Sequence, residues 1–259
     1  MSEDRPETVV KSLEQRHAFV TGGASGIGLA VTRSLVAAGA RVTIASRNAD
    51  RINAVANELE GVTGVTLDVS DPGNIASVFD AAGPIDILVN NSGIVTATPF
   101  HKTSLSTWSE IMAVNLTGVF LCTQAALKSM RERDSGRIIN ISSTAGLKGY
   151  PYIAAYAASK HGVVGMTRAL AEELALTGIT ANCVCPGFTD TEIASDAVAN
   201  ITAKTGRSED EARAELIKYN PQKRIIAPEE VADTVLWLCQ NSSRSMNGQA
   251  IAVAGGEIT

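Results

Sequence analysis

Cysteine and histidine are scarce. The 259-residue chain has four cysteines and three histidines, and neither type is grouped as a disulfide framework or a metal centre needs. Cys122, Cys183, Cys185 and Cys239 each stand in an apolar context, where buried free thiols are found. Cys183-x-Cys185 lies in a strand-like run with no second pair or histidine at zinc spacing, so no metal is expected. His17, His101 and His161 form no cluster in the sequence. Basic charge is short as well: 22 Lys and Arg stand against 27 Asp and Glu, for a net charge of −5. That leaves no basic footprint for nucleic acid. No apolar run stands out as a membrane span, so no membrane partner is expected. The first eight residues carry charges where a secretory signal needs an apolar stretch. They read as part of a disordered tail over 1–14, with a cytoplasmic address.

What is present suits a soluble globular protein: 45% of residues are hydrophobic and 19% charged. No repeat, low-complexity tract or linker divides the chain, so residues 15–259 are expected to form one domain. Short apolar runs at 16–21, 41–45, 62–67, 85–89, 137–141, 179–185 and 250–253 read as strands buried on both faces. Helical patterns separate them: 26–38, a stretch to 58 capped by Asn48 or Asp50, one opened by Asp71-Pro72, 106–131, 152–177 and 228–240. Strands alternating with helices at this rhythm predict an α/β fold, a Rossmann-like doubly wound parallel sheet of about seven strands covered on both faces. Residues 187–224 form a long polar, partly helical excursion. Ligands of open α/β sheets sit beyond the carboxyl ends of the strands. That rule gathers 21–28, Asp68, 90–93, Ser143 and Pro186-Gly187 on one rim.

Tyr156-Ala-Ala-Ser-Lys160 carries the chemistry. A tyrosine and a lysine four apart share one helix face. A nearby ammonium favours the phenolate and lowers the tyrosine pKa, which makes it a usable acid or base. Thr21-Gly-Gly-Ala-Ser-Gly-Ile-Gly28 sits between the first strand and the first helix. There, backbone N–H groups and the helix dipole make an anion site for a dinucleotide pyrophosphate. Gly22, Gly26 and Gly28 let the backbone turn and approach; Ser25 and Ile27 lie between them. At the end of the second strand an acid would read the ribose of NAD. Here Ser46 holds that position and Arg47 follows, while Asp50 falls inside the next helix. A cation suits a 2′-phosphate, so NADP(H) is favoured, with NAD(H) the alternative.

Taken together, these residues resemble the short-chain dehydrogenase/reductase family in its single-domain form, from about residue 15 onward. The similarity covers Thr21-Gly-x-x-x-Gly-x-Gly28, Asp68, Asn90-Asn-Ser-Gly93, Asn115, Ser143, Tyr156-x-x-x-Lys160 and Pro186-Gly187 with Thr191. Ser92 departs from the family's usual alanine, and Ala254 from an aspartate found in many members. The resemblance implies a catalytic set of Ser143, Tyr156, Lys160 and Asn115. Tyr156 would be the general acid and Ser143 would hold the carbonyl oxygen, with Ser142 its rival for that role. Lys160 would bind the nicotinamide ribose, and Asn115 would support a proton-relaying water. Asp68 and Val69 would meet the adenine side of the cofactor, and Asn90 would steady the sheet. Asn91, Gly93, Pro186, Gly187, Thr189 and Thr191 complete the implied cofactor contacts.

Substrate specificity is expected in 94–100, 144–152 and 188–224, the last a candidate lid. Residues 156–165, with 177–180 and 185–188, are similar to polyketide ketoreductases and bacterial 3-oxoacyl-thioester reductases. That implies reduction of a 3-oxoacyl thioester or related β-keto compound. The alternative is dehydrogenation of a small secondary, cyclic or aryl alcohol. Lys148, Lys204, Arg207, Lys223 and Arg224 are candidate contacts for a carrier or CoA phosphate, weighed against ordinary surface charge. The family implies a homotetramer, with the small-residue helical stretches 106–131 and 152–177 in the subunit contacts. A dinucleotide sensor without chemistry is the competing reading; such proteins tend to lose the tyrosine or the lysine.

Overall fold

An apolar strand buried on both sides must divide its side chains between two layers. In the computed structural model, which describes residues 12–258, β1 (His17–Thr21) does so. Ala18 and Val20 enter one layer and Phe19 the other. In β4 (Ile87–Asn90), Ile87 and Val89 oppose Leu88, and in β5 (Gly136–Ile141), Ile139 and Ile141 oppose Ile138. With β2 (Arg41–Ser46), β3 (Val62–Thr66), β6 (Ile179–Pro186) and β7 (Ala250–Val253), these strands form one seven-stranded sheet in the order β3-β2-β1-β4-β5-β6-β7. Every pairing is parallel. The fold is the Rossmann-like doubly wound sheet read from the sequence. Its order reverses between β1 and β4, which opens a crevice beyond their carboxyl ends.

The first layer holds α1 (Gly26–Ala37), α2 (Ala49–Glu58) and α9 (Pro228–Cys239); the second holds α3 (Pro72–Ala82), α5 (Gly118–Glu132) and part of α6 (Ala154–Glu173). Phe19 stacks on Phe79 of α3 with ring centres 4.3 Å apart. Asn48, not Asp50, caps α2: its Oδ1 accepts from Arg51 N at 3.0 Å. Asp71 caps α3, with Pro72 in the first turn.

Three expectations change. Residues 1–11 of the expected tail lie outside the described residues. Residues 12–14, also placed in the tail, belong to a turn. Leu13 is buried there, with its N–H donating to Ala38 O at 2.9 Å, because the end of α1 offers it an apolar seat. The 106–131 stretch is not one regular helix. α4 (Leu105–Met112) and α5 are joined by a wide π turn, Ala113–Thr117. Finally, Leu105–Glu132 is long and apolar enough to cross a membrane by length and composition, contrary to the reading that no run is. It is a core helix here, with Val114, Val119, Cys122, Ala126 and Met130 buried against the sheet.

The 187–224 excursion holds α7 (Glu192–Thr205) and α8 (Glu209–Leu216). Val198, Ala212 and Leu216 give these two helices a small core of their own. The excursion is pinned at its base, where Thr189 pairs with Ile226.

Candidate active site

The glycine-rich turn is built for close approach. Gly22 and Gly26 have positive φ, 65° and 50°, which only glycine adopts without strain. A side chain on Gly28 would collide with the Gly22 carbonyl. The turn is stitched to the loop after β4. Thr21 Oγ1 accepts from Asn91 N at 2.9 Å and Ser92 N at 3.1 Å, and Asn91 Nδ2 donates to Thr21 O and Gly22 O. Asn91 therefore spends its side chain on holding the turn. Ser25 stands at the N-cap of α1, but its hydroxyl makes no capping bond and no acid lies in the first turn. The leading N–H groups of Gly26, Ile27 and Gly28 are left for an anion. The residues present thus fit a dinucleotide pyrophosphate.

Beside this turn lies a hollow of about 540 Å³, lined by Ser25, Ser46, Arg47, Asn48 and Arg51. Arg47 is exposed and acts on Asp68 across the rim. The Asp68 carboxylate accepts from Ser70 N at 2.9 Å and Ser70 Oγ at 2.6 Å. Those bonds, chiefly the hydroxyl's, and then Arg47 hold its pKa below the usual range. Val69 turns inward and is buried in the second layer. On the far side, Gly187 N donates to Val253 O at 3.0 Å and Thr189 Oγ1 donates to Gly187 O. Thr191 packs its methyl against Gly26. Of the residues 186–191 expected at the cofactor, Thr191 thus lies against the glycine turn, while Gly187 and Thr189 are tied to β7 and to each other.

Tyr156 and Lys160 share one face of α6. Lys160 is buried, and its Nζ donates to Ile141 O at 2.8 Å and lies 5.6 Å from the centre of the Tyr156 ring. Burial pushes Lys160 down to about 8. The expected effect on Tyr156 is reversed. Burial raises the phenol above its ordinary value, a bond to the Ser143 side chain opposes that, and the Cys185 thiol adds to the rise. The two serines now separate. Ser142 is buried and donates to Lys160 O at 3.1 Å, whereas Ser143 faces Tyr156.

Asn115 explains the π turn. Its Oδ1 accepts from Ile94 N at 2.9 Å, and its Nδ2 donates to Ile94 O at 2.8 Å and Ser159 Oγ at 3.2 Å. A Cβ on Gly93 would sit 3.5 Å from both Asn115 Oδ1 and Lys160 Nζ, so Gly93, Asn115 and Lys160 converge. Behind them, Asn90 Nδ2 donates to Asn140 Oδ1 at 2.8 Å and Thr123 Oγ1 at 3.0 Å, tying β4 to β5 and α5.

Two clusters carry no local sequence signal. Arg51 lines the hollow and pairs with Glu192 of α7 at 2.8 Å. Near Ser143, Lys148 Nζ lies 3.2 Å from Glu257 Oε1 and about equally far, 4.9 and 5.0 Å, from the rings of Tyr150 and Tyr219. The Tyr150 hydroxyl also bonds Glu257. Burial, followed by that bond, holds the Tyr150 proton on. Of the other cations weighed for a phosphate, Arg207 pairs with Glu215, Arg224 with Glu230, and Lys223 donates to Lys218 O. Among the described residues no group of three His, Cys, Asp or Glu side chains is placed to hold a metal. All four cysteines are buried free thiols.

A parallel sheet with a dinucleotide turn at its switch point and a Ser–Tyr–Lys set beside it, its lysine buried, defines a nicotinamide-dependent oxidoreductase of the CH–OH group. Residues 16–202 match the short chain dehydrogenase family, and the chain belongs to it. It is 40% identical over 249 residues to a Streptomyces violaceoruber protein named as a ketoacyl reductase of granaticin polyketide synthase, covering 92% of each chain. It is 38% identical over 258 residues to a 3-oxoacyl-[acyl-carrier-protein] reductase of a Synechocystis strain, covering 95% of this chain and 98% of that one. The crystal structure of an actinorhodin polyketide ketoreductase variant with NADPH superposes with a TM-score of 0.90 at 38% identity, over 93% of this chain and 97% of the other.

Proposed function

We propose that this protein reduces a 3-oxoacyl thioester or related β-keto compound to the secondary alcohol, using NADPH. The observation that carries the reading is the convergence of the Tyr156 phenol with the Ser143 side chain and the buried Lys160, whose Nζ lies 5.6 Å from the centre of the Tyr156 ring, with burial raising the phenol. A general acid must hold its proton until the oxygen needs it. In this reading the Ser143 hydroxyl orients the carbonyl oxygen and Tyr156 gives it a proton as negative charge develops there. Lys160 keeps a cation behind the phenol and steadies the ribose, and Asn115 orders the loop at Ile94. The dinucleotide supplies the hydride that goes to the carbonyl carbon. The glycine turn and α1 take its pyrophosphate, and Ser46 and Arg47 take the 2′-phosphate. The relatives' names support the substrate class, and the neighbour solved with NADPH supports the phosphate. We also propose a homotetramer: Leu105, Trp108 and Phe120 leave apolar surface uncovered on α4 and α5.

The test is purified protein with NADPH, then NADH, against a panel of 3-oxoacyl thioesters and simple ketones, followed by loss of dihydronicotinamide absorbance. Turnover of thioesters with NADPH preferred is expected. Preference for NADH would discard Arg47 as a phosphate reader. Turnover of cyclic or aryl ketones alone would discard the acyl substrate.

A further inference from the structure

Arg51 stands between two hollows. It lines the first with Ser46 and Arg47, and it lines a second, of about 360 Å³, with Gly26, Leu29 and Glu192. Its guanidinium is turned to the second, where Nη1 donates to Glu192 Oε2 at 2.8 Å. Glu192 is the first residue of α7, so this pair ties the floor of the cofactor rim to the excursion over the site. Both side chains are about half exposed, 48% and 64%. An exposed pair of this kind is a weak tether. A phosphate dianion is a stronger partner for a planar guanidinium than a solvated carboxylate, and it repels that carboxylate.

We infer that Arg51 is a second reader of the adenosine 2′-phosphate and that it exchanges partners on binding, leaving Glu192 for the phosphate and so loosening the start of α7. Glu192 is then a built-in competitor of NADPH that NADH never meets. The inference rests on the NADPH reading and adds to it a named pair with effects of opposite sign. Arg51→Gln weakens NADPH and spares NADH. Glu192→Gln tightens NADPH and spares NADH.

Equilibrium binding of NADPH and NADH by fluorescence titration tests this on wild type, Arg51→Gln, Glu192→Gln and Arg47→Gln. Amide exchange over 192–198 is read at saturation with each cofactor. The expected loss for NADPH on Arg51→Gln is about tenfold, and the gain on Glu192→Gln about threefold. Exchange at 192–198 is faster with NADPH than with NADH in wild type. A wild type that prefers NADPH, with a ratio unchanged by Arg51→Gln, overturns the inference and leaves the cofactor reading standing. Weaker NADPH binding on Glu192→Gln overturns the exchange of partners. A wild type that binds NADH as tightly as NADPH overturns the cofactor reading together with this inference.

Discussion

Burial acts on Tyr156 and Lys160 in opposite directions, and both shifts serve one chemistry. The phenol keeps its proton more firmly than a free tyrosine, while the ammonium is held less firmly, losing its proton near 8 rather than 10.5. Lys160 is therefore charged below about 8 and neutral above it. The expected result is that kcat/KM for reduction falls as pH rises through that value, which a pH–rate profile of the wild type measures. Between about 8 and 10.5 the unfolded chain binds a proton that the folded chain has shed, so stability rises with pH there. Below that window the buried charge costs stability. Lys160→Met is expected to lose turnover yet raise stability at neutral pH, because the relieved buried charge outweighs the lost bond to Ile141. Thermal melting checks it; a lower melting temperature would contradict the assigned burial cost. The pair was legible in the sequence because four residues make one helical face. The direction of the tyrosine shift was not, because it depends on burial, which only the packed fold determines.

The elements that position these groups were mostly readable, since strands and helices follow from apolar spacing and caps from Asn48 and Asp71. The π turn was not readable. Nothing local in 113–117 calls for it; it exists because Asn115 reaches Ile94, 21 residues away. Asn115→Leu is expected to strand the Ile94 N–H and carbonyl, at a cost of about 2–4 kcal/mol. Amide exchange along 91–98 should accelerate more than in β5. Equal acceleration everywhere would mean only general destabilisation. The Lys148–Tyr150–Glu257 cluster was hidden for the same reason: its members meet across 107 residues. Lys148 was singled out as a cation, but its carboxylate partner carries no pattern of its own.

At the scale of the molecule, the sheet and its rim follow from seven apolar runs and the rule that sites lie beyond carboxyl ends. The uncovered apolar faces require tertiary structure, because a helix pattern alone does not say which side the sheet covers. Phe120→Glu on α5 is expected to break the proposed tetramer into smaller species in light scattering while the far-ultraviolet dichroism stays unchanged; an unaltered mass would remove this face from the proposed assembly. In the proposed reaction Tyr156 delivers the proton in a carbonyl reduction that the rest of the fold serves. Its most direct test compares wild type and Tyr156→Phe in one experiment, with NADPH binding by fluorescence and NADPH consumption on a 3-oxoacyl thioester. Unchanged binding and a loss of turnover of about a thousandfold or more are expected. Turnover in Tyr156→Phe within about tenfold of wild type would contradict that role of Tyr156, because general-acid catalysis contributes far more than that.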